Sequence, residues 1–202
     1  MTGRFVVLEG GDGSGKSTQL RGLAAWLRER GIEVVETFEP GATDAGAAMR
    51  ELLLHRPDPI APVAEALLMA ADRAQHVATV IGPALARGAW VVSDRFLPSS
   101  LVYQGVVRGL GVDAVAEINR LAVGDVQPDL VVLLDVSDAV AETRRGSETD
   151  KLEAEGAAFH AKVRAAYRDL APARGWVVVD ANRPLGVVAD ALRDAIVPLL
   201  AG

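Results

Sequence analysis

Apolar, largely β-branched residues gather in five short runs, at 5–8, 32–37, 90–93, 130–134 and 176–179, and most are unbroken rather than alternating with polar positions. Continuous apolar character is what a strand needs when both faces of its sheet are covered, so each run is read as a buried parallel strand. Between them, Ala-, Leu- and Arg-rich stretches at 17–30, 63–87, 112–123, 152–170 and 185–200 repeat apolar positions at helical spacing. Gly31 and Gly88 follow the first two, where a helix end favours a residue free to turn left-handed. Pro83 falls inside the second stretch and should break or kink it, because it has no N–H for the helical ladder. Strands alternating with helices predict right-handed crossovers and a three-layer α/β fold on a five-stranded parallel sheet.

A length of 202 residues, with no repeat and no linker, predicts a single domain over 1–202. The balance of 50% hydrophobic to 24% charged residues is that of an ordinary globular chain and calls for no staples. The absence of cysteine excludes disulfides, thiolate nucleophiles and Cys-zinc sites, so any metal must be held through oxygen, and it fits a reducing cytoplasm. A net charge of -6 argues against a nucleic-acid partner, which demands a basic face, so an anionic ligand must be met by local cations. The longest apolar runs are strand-length, too short to span a membrane, and the first one leads into glycines rather than a signal-peptide cleavage site.

Gly10-Gly11-Asp12-Gly13-Ser14-Gly15-Lys16-Ser17 follows the first strand directly and opens a helix, which is the context that G-x-x-x-x-G-K-[ST] requires for a phosphate-binding loop. Glycines let successive N–H groups curl toward one anion, and the helix N-terminus adds favourable partial charge. On this reading the loop at 10–17, with Thr18 behind it, binds ATP. Lys16 would reach the β/γ-phosphates and Ser17 would bind Mg²⁺. A glycine-rich turn capped by Ser17 is the plainer alternative. No guanine-reading Asn/Thr-Lys-x-Asp motif is present, which favours ATP over GTP.

Asp94 and Arg95 close the third strand, at the end where α/β ligands sit. A carboxylate there can hold Mg²⁺ or its waters and a guanidinium can fork onto a phosphate, although the pair could simply cap a turn. The stretch 144–151, RRGSETDK, is polar, charged and without apolar anchors; it reads either as a short mobile lid, approximately 144–152, or as a solvated charged loop.

Several stretches stand in a fixed order: Leu8-Glu9-Gly10 through Thr18, Glu39-Pro40-Gly41 with Thr43, Leu67-Leu68 with Ala71-Asp72-Arg73-Ala74-Gln75-His76, Asp94-Arg95 through Gly105, and Asp150 through Glu153 with Phe159, Val163-Arg164 and Tyr167. Together they resemble the thymidylate kinase family, P-loop enzymes that use ATP and Mg²⁺ to phosphorylate dTMP. The resemblance implies a P-loop NTPase fold, a homodimer, and roles for particular residues. Arg73 would meet the thymine edge or the acceptor nucleotide, Arg95 would clamp the dTMP phosphate, and Asp12 and Tyr103 would recognise the deoxyribose. Ser99 and Ser100 would lie near the base, Gln104 would belong to the same acceptor set, and Glu39-Pro40 matches a place where the family often has a cis peptide.

Joining two polyanions calls for neutralised charge and excluded water rather than a strong base. Lys16, Asp94 and Arg95 are therefore the expected catalytic set. Position 13 is glycine, so no P-loop arginine can reach the transferred group, and the resemblance assigns that role to the lid through Arg144 or Arg145. The chain also departs from the family pattern. Phe38 and Ala42 stand where Arg and Gly are common, and Met69 where a phenylalanine often stacks on thymine, so Met69 either covers a base face or packs in the core. His55, His76 and His160 have no ligand spacing and receive no catalytic role. Two alternatives remain: a kinase for another or modified pyrimidine deoxynucleotide, and a degenerate P-loop protein that binds ATP and regulates a partner.

Overall fold

The computed structural model describes residues 3–56, 58–144 and 155–200. Five strands, β1 (Phe5–Glu9), β2 (Val34–Phe38), β3 (Trp90–Asp94), β4 (Leu130–Asp135) and β5 (Val177–Asp180), form one sheet in the order β2-β3-β1-β4-β5. Every neighbouring pair is parallel. The expected α/β class and five-stranded parallel sheet are therefore present.

The alternation of β1 explains the layers. Val6 and Leu8 point to one face and Phe5 and Val7 to the other, and all four are fully buried. The first face is covered by α1 (Lys16–Arg28), through Leu20, Leu23, Ala24 and Leu27, and by α9 (Leu185–Leu200), through Val188, Leu192 and Ile196. These positions recur at three- and four-residue intervals, and each large side chain so buried contributes roughly 1.5–3 kcal/mol. The second face packs against Ile81, Ala84, Phe96 and Val123. A third cluster joins Val102 and Tyr103 to Val163, Ala166 and Tyr167 of α8 (Ala157–Arg174). Among the described residues, no helix is long and apolar enough to cross a membrane.

The helical stretches at 112–123 and 185–200 form as expected, as α6 (Val112–Val123) and α9. The stretch at 63–87 is divided into α3 (Pro62–His76), a π-helical turn (Val77–Ile81) and α4 (Gly82–Ala86). The wide turn comes just before Pro83, whose ring and missing N–H cannot be accommodated in a regular α ladder. Strand β2 starts two residues later than its apolar run, because Ile32 N–H is used at the end of α1, donating to Leu27 O at 3.3 Å past Gly31 with φ 76°. Five elements among the described residues are absent from the sequence reading: α2 (Asp44–Arg50), the π-helical segment Glu51–His55, α5 (Leu97–Ser100), the π-helical segment Leu101–Val107, and α7 (Asp138–Arg144). The expected lid, apart from Arg144 at the end of α7, lies outside the described residues, as do Arg145 and Lys151.

Candidate active site

The glycine-rich loop leaves the C-terminal end of β1, the central strand, between the ends of β3 and β4. This is where the chain order reverses and a crevice opens. Gly10, Gly13 and Gly15 hold φ of 143°, 78° and 88°, a region that side chains avoid. Space is short as well: a Cβ at Gly10 would lie 2.6 Å from Leu134 O, and one at Gly13 2.5 Å from Ala141 O. Helix α1 then begins at Lys16 and aims its first amides into the crevice.

A cleft of about 900 Å³ opens in front of the loop, walled by Asp12 through Thr18, with Asp94, Arg95 and the cations Arg50, Arg144 and Arg183. Gly10 and Gly11 stand behind the wall, where their carbonyls accept hydrogen bonds from Lys16 Nζ at 3.0 and 3.2 Å. Burial pushes the Lys16 ammonium below its ordinary pKa and Arg95 adds to this, against Asp94, Asp12 and Glu9. Ser17 Oγ donates to Asp94 Oδ2 at 2.8 Å, so a hydroxyl and a carboxylate 77 residues apart in sequence share one edge of the cleft. Arg144 Nη1 donates to Ala181 O at 2.9 Å, at the far end of the same wall.

A second cavity of about 140 Å³ lies beside the cleft and is lined by Asp12, Glu39, Met69, Arg73, Arg95, Ser99, Ser100, Tyr103 and Gln104, each residue that the sequence assigned to the acceptor. Asp12, Glu39, Arg50 and Arg95 line both spaces. Tyr103 and Gln104 are carried by the π-helical segment, an irregularity frequent at functional sites. Met69 does two things at once, facing the cavity while packing on Leu53 and Leu54. The Glu39-Pro40 peptide is cis.

Arg95 is the junction. Its φ of 74° makes it the one non-glycine residue with positive φ among those described, a strained conformation that a site can hold only when its neighbours enforce it. Its guanidinium donates to Asp12 Oδ1 at 2.7 Å, Ser99 Oγ at 3.2 Å and Tyr167 OH at 3.3 Å, and lies over the Tyr103 ring. Burial raises the Asp12 pKa, but Arg95, Lys16 and His160 outweigh it and hold the carboxyl below the usual range. Beneath Arg95, the fully buried Glu9 accepts from Phe96 N and Ser99 N through Oε1 at 3.0 and 3.2 Å, and from Ser99 Oγ and Tyr167 OH through Oε2, both at 2.7 Å.

Arg73 is held as firmly. Nε and Nη2 grip Glu39 Oε2 at 2.9 and 2.8 Å, while Nη1 donates to Ser100 Oγ at 3.1 Å and to Asn119 Oδ1. The other Glu39 oxygen lies 2.9 Å from His76 Nδ1, and His76 Nε2 is 2.6 Å from Thr37 Oγ1. Two histidines passed over in the sequence therefore stand close to the site: His76 in this network, and His160 with Nδ1 3.9 Å from Asp12 Oδ2. Glu9, Asp72 and Tyr167 stood in the quoted family stretches without a role, and Arg50 and Asn119 were missed. A signal existed for Glu9, an ionisable residue ending an otherwise apolar strand; Arg50 had none, because α2 was not anticipated.

The family model described as Thymidylate kinase matches residues 8–192. The chain belongs to the thymidylate kinase family. Similar relatives include the thymidylate kinase of Leifsonia xyli subsp. xyli, 53% identical over 196 residues that cover 95% of this chain and 93% of that protein. The thymidylate kinase of Clavibacter michiganensis subsp. michiganensis is 50% identical over 206 residues, covering 100% and 98%. A Synechococcus thymidylate kinase is 49% identical over 203 residues, covering 96% and 95%. The family match begins at Leu8, at the end of β1, and so takes in the whole glycine loop together with every acceptor-cavity residue named above.

Proposed function

We propose that the protein transfers the γ-phosphoryl group of ATP to dTMP, giving dTDP and ADP in the synthesis of dTTP, with residues 1–202 acting as one kinase domain. The observation that carries this reading is the meeting of a phosphate-loop cleft and a small polar cavity at Asp12 and Arg95. Membership of the family and the names of the relatives support the same substrates. In this reading Gly10 through Thr18 cradle the triphosphate and Lys16 leaves its loop carbonyls for the β/γ-oxygens. Arg95 and Arg50 hold the acceptor phosphate, and Arg73, Ser99, Ser100, Gln104 and Met69 surround the base. Asp12 and Tyr103 border the sugar, Arg144 adds to the cationic lining, and Arg144 or Arg145 would supply the catalytic cation. These groups stabilise charge that spreads over the transferred oxygens, which is the main demand of phosphoryl transfer.

The Ser17–Asp94 pair suits Mg²⁺, because both donors are hard oxygens at the edge of the cleft. Among the described residues no group of three or more acidic or histidine side chains forms a metal cage. Mg²⁺ commonly takes only one or two protein ligands and completes its shell with phosphates and water. When bound it would screen the phosphate oxygens. We read α3 and α6, which pack together and leave Val63, Leu67 and Leu121 exposed, as a homodimer face in a cytoplasmic enzyme; light scattering tests the dimer.

A coupled assay of ADP release with dTMP, dUMP, dCMP and the ribonucleotides tests the activity, with dTMP expected to be preferred. Lys16→Ala should lower turnover by ~10²-fold or more, because it removes a cation from the transition state. Unchanged turnover overturns that role. One observation favours a second substrate reading: Met69 and Leu54, neither aromatic, form part of the cavity wall, so a different pyrimidine deoxynucleotide emerging as the best acceptor would point to a related kinase.

A further inference from the structure

Helix α8 turns a polar stripe toward the glycine loop. His160, Arg164 and Tyr167 follow one another at intervals of four and three residues, so they share a face, and all three are buried. His160 and Tyr167 reach Asp12 and the Arg95–Glu9 cluster. Arg164 is different. Its Nε donates to Asp138 Oδ1 at the start of α7, and its aliphatic stem lies against Gly11, where a Cβ would stand 3.2 Å from Arg164 Cγ and 3.9 Å from Nη1. Its Nη1 is buried and, among the described residues, has no hydrogen-bond partner.

An unpaired buried guanidinium N–H is costly, roughly 1–3 kcal/mol and more when charged, so its retention points to a second arrangement in which it is used. That arrangement is suggested by Lys16, whose ammonium occupies the carbonyls of Gly10 and Gly11. A lysine that swings to a polyphosphate must release both oxygens behind the loop, leaving the Gly11 oxygen with only the long bond from Ser14 N at 3.3 Å. Two buried donors beside the loop have no partner among the described residues: Ser14 Oγ, next to Gly10, and Arg164 Nη1, the one that lies next to Gly11.

We infer that Arg164 is a positioning residue of the phosphate cradle: it takes up the Gly11 carbonyl that Lys16 releases, and so stabilises the loop in its polyphosphate-bound form. Asp138 fixes the guanidinium for this exchange, and the packing of the stem on Gly11 sets its distance. The inference rests on the reading of the cleft as a triphosphate site. It concerns groups behind the loop that need not touch the nucleotide.

Titration calorimetry on the whole chain, with an unhydrolysable ATP analogue, ADP and AMP and without any acceptor, tests it. Arg164→Met should weaken the analogue and ADP about tenfold, or ~1.4 kcal/mol, and leave AMP within twofold, since only β/γ-phosphates draw Lys16 away. Arg164→Lys should recover much of the loss. Asp138→Ala, at an exposed position that does not threaten folding, removes the acceptor and should weaken the analogue a few-fold. Equal losses for AMP and the analogue would reveal a purely structural arginine and overturn the proposal, as would unchanged affinity in Arg164→Met. Should Arg164→Met not fold, wild-type affinity in Asp138→Ala overturns it. Failure of the wild type itself to bind the analogue would instead sink the triphosphate reading on which the proposal stands.

Discussion

Glu9 and Asp12 lie three positions apart, and their surroundings drive them in opposite directions. Burial raises the Glu9 pKa above its ordinary 4.5, and Arg95, Ser99, Tyr167 and the Phe96 amide offset this only in part. For Asp12 the cations outweigh burial, and the carboxyl falls below 3.8. The linkage signs follow. Native Glu9 binds a proton more readily than the unfolded chain does, so it erodes stability as pH rises from about 4.5 through its raised native pKa. Asp12 stabilises above its ordinary value, and that contribution is lost as pH falls through its depressed native pKa. Glutamine can replace Glu9 without stranding donors, its oxygen accepting from the Phe96 and Ser99 amides and its NH₂ facing hydroxyls that can rotate. Urea melts of Glu9→Gln and wild type at pH 5, 6 and 7 should therefore show the variant's relative advantage shrinking as pH falls toward 5. A difference independent of pH over that range would mean that Glu9 does not titrate with a raised pKa.

Short elements carry much of the acceptor cavity, and they were the least legible in sequence. The long helices announced themselves through runs such as Leu20, Leu23, Ala24 and Leu27, whereas α2, seven residues with only Gly46 buried, offers no apolar period. Its stability comes from a cap instead. Thr43 Oγ accepts from Gly46 N at 2.9 Å, and the helix so fixed presents Arg50, whose Nη1 donates to Pro40 O at 2.8 Å. Removing the cap costs about 1 kcal/mol. For a chain of this size that corresponds to roughly 2–4 °C in Tm. Thr43→Ala should show that shift together with a several-fold rise in KM for dTMP and a smaller change in KM for ATP, because Arg50 spans both spaces but is tied to Pro40, which lines the smaller one alone. A rise confined to ATP would mean that α2 serves the donor cleft. The π-helical segment that carries Tyr103 and Gln104 was invisible for a related reason: it is short and packs between α6 and α8 without an apolar period of its own.

Parallel strands can be counted from apolar runs, but their order cannot, and the order β2-β3-β1-β4-β5 is what brings β3's Asp94 and Arg95 beside the loop that follows β1. The glycine motif was readable because its chemistry is local. The contact of Tyr167 with Glu9, across 158 residues, depends on where α8 docks and could be anticipated only as part of a family pattern. Docking also makes the two cavities one device, since Asp12, Glu39, Arg50 and Arg95 belong to both walls while Lys16 belongs to the larger alone. A ligand at a hundred times its Kd stabilises by about 2.7 kcal/mol, or some 5–10 °C in Tm for a chain of this size. An unhydrolysable ATP analogue and dTMP should each produce such a shift in the wild type. Lys16→Ala should lose most of the analogue's shift and keep that of dTMP, because the ammonium never faces the smaller cavity. Arg95→Lys should diminish both, since one ammonium cannot replace a fork that reaches Asp12 and Ser99 together. If Arg95→Lys impaired one shift and spared the other, the junction would be a wall between independent sites, and direct transfer from one nucleotide to the other would lose its structural basis.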